Sequence, residues 1–214
     1  MIRSSSPFIS AVVFSGGEPT MQREGLSALA QFVKKLPLAV GIQTNGFFPD
    51  VLETLISQNL VDKIAIDYKT TWEGYTGSTD PVVKENYEKN VLKSIDICKK
   101  SFENKKLGEF EVVFTIFYEN QEYLQEISEK IGDVPLVLQQ GEHKVAIAKP
   151  LLPEMTQGEY ICKKRIQQEE HPPLTLNEIR EIADKLEKKI RIRTREIGEI
   201  SYESHRRRRA SRKR

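Results

Sequence analysis

Cysteine is nearly absent: the 214 residues contain two, Cys98 and Cys162. They lie far apart, and neither has a Cys neighbour at metal-ligand spacing, which excludes a disulfide scaffold. Cys98 shares an apolar helical stripe with Tyr87, Val91 and Ile95 and reads as a small buried hydrophobe. The three histidines, His143, His171 and His205, show no metal-ligand spacing and read as solvated or structural. No apolar run is long enough to cross a bilayer. The opening residues, Met1 to Pro7, lack the apolar stretch of a secretory signal, so the expected location is the cytoplasm. No internal repeat recurs at fixed period.

Charge is balanced overall, with a formal net value of +2, but it is unevenly spread. The last nine residues, Arg206 to Arg214, hold seven positive charges and no acid, which leaves a mildly acidic body without a nucleic-acid surface. That tail has no interleaved aromatics of the kind that favour single-strand binding and reads as disordered and solvated. Charged residues make up 30% of the chain and hydrophobic ones 38%, the composition of an ordered, soluble protein.

What is present is an alternation of short apolar strands and amphipathic helices. Ala11 to Phe14 reads as a buried strand feeding Ser15-Gly16-Gly17. A helix over 23–36 carries Leu26, Leu29, Ala30, Val33 and Leu36 on one face. A strand over 38–44, a helix over 50–59 and a strand over 63–67 follow. A loop over 70–81 holds Trp72 and Tyr75, aromatics suited to loop packing or to gripping a partner. The spacing then predicts a helix over 84–100, a strand over 111–117, a helix over 121–131 and a strand over 136–139. Beyond Gln140 the rhythm breaks. Thr175 and Glu178 form a capping-box signature for a helix over 175–188, and Ile190 to Thr194 alternates like a half-exposed strand. Apolar strands separated by amphipathic helices predict an α/β fold with a mostly parallel sheet covered by helices, curled into a barrel or wound as an open sheet.

Ligands in parallel α/β structures bind at the carboxyl ends of strands. Those ends carry Ser15-Gly16-Gly17-Glu18-Pro19-Thr20, then Gln43-Thr44-Asn45-Gly46, then Asp67-Tyr68-Lys69, then Thr115, then Gln139-Gln140. Packing alone does not require polar or glycine-rich groups at five successive ends, so they point to one ligand-binding mouth. Gly16 and Gly17 let backbone approach a ligand closely. Glu18 and the turn carbonyls can accept from an ammonium. Pro19 fixes the exit. Asn45 offers donor and acceptor. Asp67 and Lys69 alternate on one strand and so point to the same side.

Gly-Gly-Glu-Pro, Thr-Asn-Gly and Asp-x-Lys after successive strands resemble the radical S-adenosylmethionine (SAM) superfamily, and most closely its short activases, which install a glycyl radical on a partner. The resemblance covers roughly residues 10–140. It implies a partial (β/α) barrel with the first βα unit missing over residues 1–140, a C-terminal helix/strand extension over 141–204, and a disordered basic tail over 205–214. It implies SAM binding by Gly16, Gly17, Glu18, Pro19, Thr44, Asn45, Asp67, Lys69 and Gln139. In such enzymes a [4Fe–4S] cluster reduces SAM to methionine and a 5′-deoxyadenosyl radical. The compact barrel and the Val137-Leu138-Gln139-Gln140 ending resemble the activating proteins of anaerobic ribonucleoside-triphosphate reductase. The implied partners are therefore a glycyl-radical enzyme, anaerobic ribonucleotide reductase first, and an electron donor such as flavodoxin or ferredoxin, with no membrane or nucleic acid. A rival within the superfamily is a small-molecule enzyme resembling 7-carboxy-7-deazaguanine synthase. A rival outside catalysis is a SAM-binding or partner-binding module.

The chain departs from the family in two respects. The family's Cys-x3-Cys-x2-Cys motif follows a strand that precedes Gly-Gly-Glu-Pro, and no such motif is present. A [4Fe–4S] cluster requires thiolate ligands, so the sequence implies a fragment of an activase, or a degenerate relative, that is inactive alone. Gln43 also stands where related activases often have an acid. An uncovered first strand further predicts an aggregation-prone edge and poor solubility.

Overall fold

The computed structural model describes residues 5, 8–69, 78–142, 172–186 and 188–203. Cys162, Trp72, Tyr75, the three histidines and the tail over 205–214 lie outside the described residues. The chain divides into two compact units, residues 1–113 and 114–214.

In the first unit four parallel strands, β1 (Ala11–Phe14), β2 (Ala39–Thr44), β3 (Lys63–Asp67) and β4 (Glu109–Ile116, which runs on into the second unit), lie side by side in chain order. Sequential order decides between the two architectures the pattern allows. Right-handed crossovers between successive neighbours all fall on the same side of a sheet, so α1 (Arg23–Lys34), α2 (Pro49–Ser57) and α3 (Pro81–Glu103) cover one face. This is the singly wound, mostly parallel α/β arrangement of the partial-barrel class. The register shows the asymmetry residue by residue. Val40, Ile42, Ile64, Ile66 and Val112 share the covered face and are at most 1% exposed. The other face carries Val13, Gly41, Gln43, Lys63, Ala65, Asp67 and Glu111. The strands are therefore not apolar on both sides, as the sequence pattern suggested. Small side chains punctuate the second face, and charges sit among them.

β1 pairs with β2 and is the exposed end of the series, with Val13 54% exposed. Its four residues, Ala-Val-Val-Phe, include no charge, proline or bulge of the sort that protects an edge.

The helices begin where capping chemistry permits. Asp80 caps α3, its carboxylate accepting from the Val82 amide at 2.9 Å, with Pro81 in the first helical position. The helix therefore starts three residues earlier than apolar periodicity indicates, since Asp-Pro is itself the start signal. In α1, Leu26, Ala30 and Val33 are buried, but Leu29 is 49% exposed and does not share their face.

In the second unit a 3₁₀ segment (Tyr118–Tyr123) leads into α4 (Leu124–Ile131). β5 (Leu136–Gln140) pairs in parallel with β6 (Ile190–Thr194), and β6 pairs antiparallel with β7 (Gly198–Tyr202). β6 alternates buried and half-buried residues as expected. β7 was not expected: it has a single apolar branched residue, Ile200, and is recognisable mainly by the turn glycine, Gly198, at φ +77°. α5 (Leu176–Ala183) is shorter than the pattern indicated but carries the expected capping box between Thr175 and Glu178. No described helix is long and apolar enough to cross a membrane.

Gly46 is the glycine on which the first unit most depends. It lies at φ +76°, and a Cβ there would sit 3.0 Å from Ile66 Cγ2. We expect Gly46→Ala to cost roughly 2 kcal/mol. Gly25→Ala, in an α1 position with open space around it, should instead add about 0.5–1 kcal/mol. Urea unfolding of both variants checks the contrast.

Candidate functional site: strand ends in the first unit

The turn after β1 places Gly16 and Gly17 at φ +87° and +56°, both exposed, with nothing within 4 Å of where a side chain would lie. Two consecutive left-handed residues are a conformation only glycine adopts cheaply. Among the described residues neither peptide group engages in a hydrogen bond, so their polar atoms remain available.

Glu18 fixes that turn. It caps the 3₁₀ segment Pro19–Met21, with Oε1 accepting from the Thr20 amide at 3.0 Å and from the Thr20 hydroxyl. The same oxygen accepts from Thr44 Oγ1 at 2.6 Å, and Oε2 accepts from the Asn45 amide at 2.7 Å. Thr20 and Thr44 are both buried. One carboxylate thus ties the β1 end to the β2 end through four donors. Oε1 takes three of these bonds, whereas Oε2 accepts from the Asn45 amide alone. Thr20, which the sequence did not single out, is part of the same bond set. An acid followed by proline and threonine at a strand exit is a capping signal that would have revealed it.

Thr44 passes the constraint onward, since its Oγ1 accepts from the Gly46 amide at 3.0 Å. Asn45 Oδ1 accepts from the Phe47 amide at 2.9 Å, an Asx turn that leaves its side-chain nitrogen as the outward donor.

Asp67 and Lys69 form an ion pair at the end of β3, as alternation predicts. Asp67 lies on the open face with Gln43 and Ala65, whereas Thr44 belongs to the covered face. The strand ends therefore gather in one unit as two bonded groups, Glu18 with Thr20, Thr44 and Asn45, and Asp67 with Lys69. Asp67 Oδ1 is buried without a hydrogen-bond partner, while Oδ2 meets Lys69. Burial raises the Asp67 pKa, and Lys69 only partly offsets this by charge and hydrogen bond. An unsatisfied buried carboxylate oxygen needs an explanation, and a ligand donor supplies one.

Gln139 belongs to the second unit. There it lines a cleft of about 450 Å³ with Thr115, Phe117, Gly141, Glu142 and Arg193. Its Oε1 accepts from Arg193 at 3.3 Å. Gln140 is structural, donating to the Leu174 carbonyl at 2.8 Å and accepting from the Arg195 amide at 3.1 Å. The cationic side of this cleft was not foreseen, because β6 read as a peripheral strand.

Glu18→Ala strands the buried Thr20 and Thr44 hydroxyls and should cost roughly 2–4 kcal/mol in urea unfolding. The raised Asp67 pKa has the opposite sign. The stability it contributes is present below the usual carboxylate value of about 3.9 and is lost as pH rises through the folded value. Asp67→Asn should therefore be at least as stable as the parent at pH 7, with the difference shrinking toward pH 3 in thermal melts.

The profile of the Radical SAM superfamily matches residues 2–131. A Methanocaldococcus jannaschii protein named "Putative glycyl-radical enzyme activating enzyme MJ1227" is 35% identical over 145 residues, which is 65% of this chain and 58% of that protein. The chain thus spans less than two thirds of that relative's length. The crystal structure of an archaeal TYW1 overlaps 75% of this chain and 50% of its own at 20% identity, with a TM-score of 0.46. The match over residues 2–131 extends across more than half of the sequence, and the chain belongs to the radical SAM superfamily.

Proposed function

We propose that the strand-end turns of residues 1–113 bind S-adenosylmethionine, and that the protein belongs to an activase that installs a glycyl radical on a partner enzyme. The observation that carries this reading is the Gly16-Gly17 turn. Its peptides are exposed and unengaged, and Glu18 holds it rigidly against the end of β2. Such a turn offers carbonyl acceptors to an amino group without a side chain in the way. Asp67 Oδ1 is a buried acceptor awaiting a donor, and Lys69 provides a cation for a carboxylate. Asn45 Nδ2 adds a neutral donor. These groups fit a zwitterionic amino acid carrying a nucleoside.

When bound, S-adenosylmethionine supplies the 5′-deoxyadenosyl group that this superfamily uses for hydrogen abstraction. The residues present hold and orient it and exclude water. Those among the described residues do not fit an iron–sulfur cluster. No group of three His, Cys, Asp or Glu residues among those described could hold a metal. Cys98 is buried in α3, and burial pushes its thiol far above the usual range. The relative's name supports the activase reading. Within it, anaerobic ribonucleotide reductase is the proposed partner and flavodoxin or ferredoxin the proposed electron donor, in the cytoplasm. The lack of thiolates among the described residues favours a second reading, a SAM-binding module without radical chemistry. Iron analysis after anaerobic reconstitution separates the two.

Anaerobic calorimetry of the full chain with SAM tests the site. One-site uptake is expected, weakened about tenfold or more in Lys69→Ala, in line with the loss of a charge-assisted hydrogen bond. No uptake by folded wild-type protein contradicts the proposal.

A further inference from the structure

α3 braces two of the strand ends that form the site. Tyr87 stacks on Phe47 with ring centroids 4.4 Å apart. Val91 fills the space beside Gly46, where a Cβ would lie 3.5 Å from Val91 Cγ1. Ser94 Oγ donates to the Gly46 carbonyl at 2.6 Å. These three contacts hold the turn after β2. Glu88, one residue along from Tyr87, reaches the other end instead: its Oε1 accepts from the Tyr68 hydroxyl at 2.8 Å.

Tyr68 lies between Asp67 and Lys69. The residue is 2% exposed, and its amide donates to the Val113 carbonyl at 2.9 Å. A phenylalanine would fill that space equally well, so packing does not account for the hydroxyl. A buried hydroxyl is costly unless bonded, and this one meets a carboxylate, a charge-assisted partner. The strand end is thus fixed at its backbone on one side and at a side-chain tip on the other. Lys69 has a flexible four-carbon stem, so its aim depends on the backbone that carries it.

We infer that Tyr68 is a positioning residue for the SAM site. Anchored to Glu88, it sets the backbone from which Lys69 reaches the ligand. This inference rests on the site reading above. Tyr68 faces the helices and acts through its neighbour.

Anaerobic calorimetry with SAM on the full chain tests it as a double-mutant cycle. Tyr68→Phe should weaken binding roughly tenfold in the parent, and less than about twofold once Lys69→Ala is present, because residues acting through one another are not additive. Glu88→Ala, which leaves the core intact, should reproduce the effect of Tyr68→Phe, and Glu88→Gln, which keeps an acceptor, should restore near-parental affinity. Amide hydrogen exchange at residues 67–69 should rise in Tyr68→Phe. Parental affinity in both Tyr68→Phe and Glu88→Ala, or a Tyr68→Phe loss that adds in full to Lys69→Ala, overturns the inference while leaving the site reading intact. Failure of the wild type to take up SAM overturns both, and the wild-type titration tells the two failures apart.

Discussion

The first unit depends on one carboxylate. Glu18 accepts from an amide and a hydroxyl of Thr20, from the Thr44 hydroxyl and from the Asn45 amide. Parallel strands are joined to their neighbours by backbone ladders, but the ladder stops at the strand ends, where the chain must turn outward. Glu18 continues the connection past that point. It also satisfies two buried hydroxyls that would otherwise be costly. A consequence follows for the glycines before it. A left-handed Gly-Gly turn is flexible in isolation, and here its far side is pinned to β2. A flexible sequence becomes a preorganised surface of backbone acceptors, the property a ligand-binding turn needs.

The constraint is relayed rather than local. Thr44 links Glu18 to Gly46. Gly46 is held by Ser94 of α3, and α3 reaches Tyr68 through Glu88. Each step is a hydrogen bond between named groups, and together they connect the ends of β1, β2 and β3. The helix that covers the sheet is thereby also the brace for the residues at its edge. Asp67 is the contrasting case. Among the described residues it is the one group at these ends with a buried side-chain oxygen that the protein leaves unmatched.

Much of this was legible in the sequence because the relevant signals are local. Strand positions followed from short apolar runs. The motifs could be assigned to strand ends because each follows directly on such a run. What was not legible was side-chain direction. Glu18 reads as a free acid beside glycines, and only the position of Thr44, 26 residues away, shows that its carboxylate is bonded to the next strand end. Tyr68 has no distinguishing signal of its own, since the partner of its hydroxyl, Glu88, lies on α3. The polar second face of the sheet was missed because each strand is too short for alternation to stand out. β7 was missed because Gly198 to Tyr202 offers little apolar signal. The start of α3 was missed for a different reason: periodicity finds the buried turns of a helix, whereas Asp80-Pro81 announces its beginning chemically.

The central claim is that the ends of β1, β2 and β3 form one SAM-binding surface. Amide chemical-shift mapping by NMR, on isotopically labelled protein titrated with SAM under anaerobic conditions, addresses it most directly. The account predicts saturable shifts concentrated at Gly16, Gly17, Asn45 and Lys69. Shifts confined to other residues, or none at saturating ligand, would contradict it.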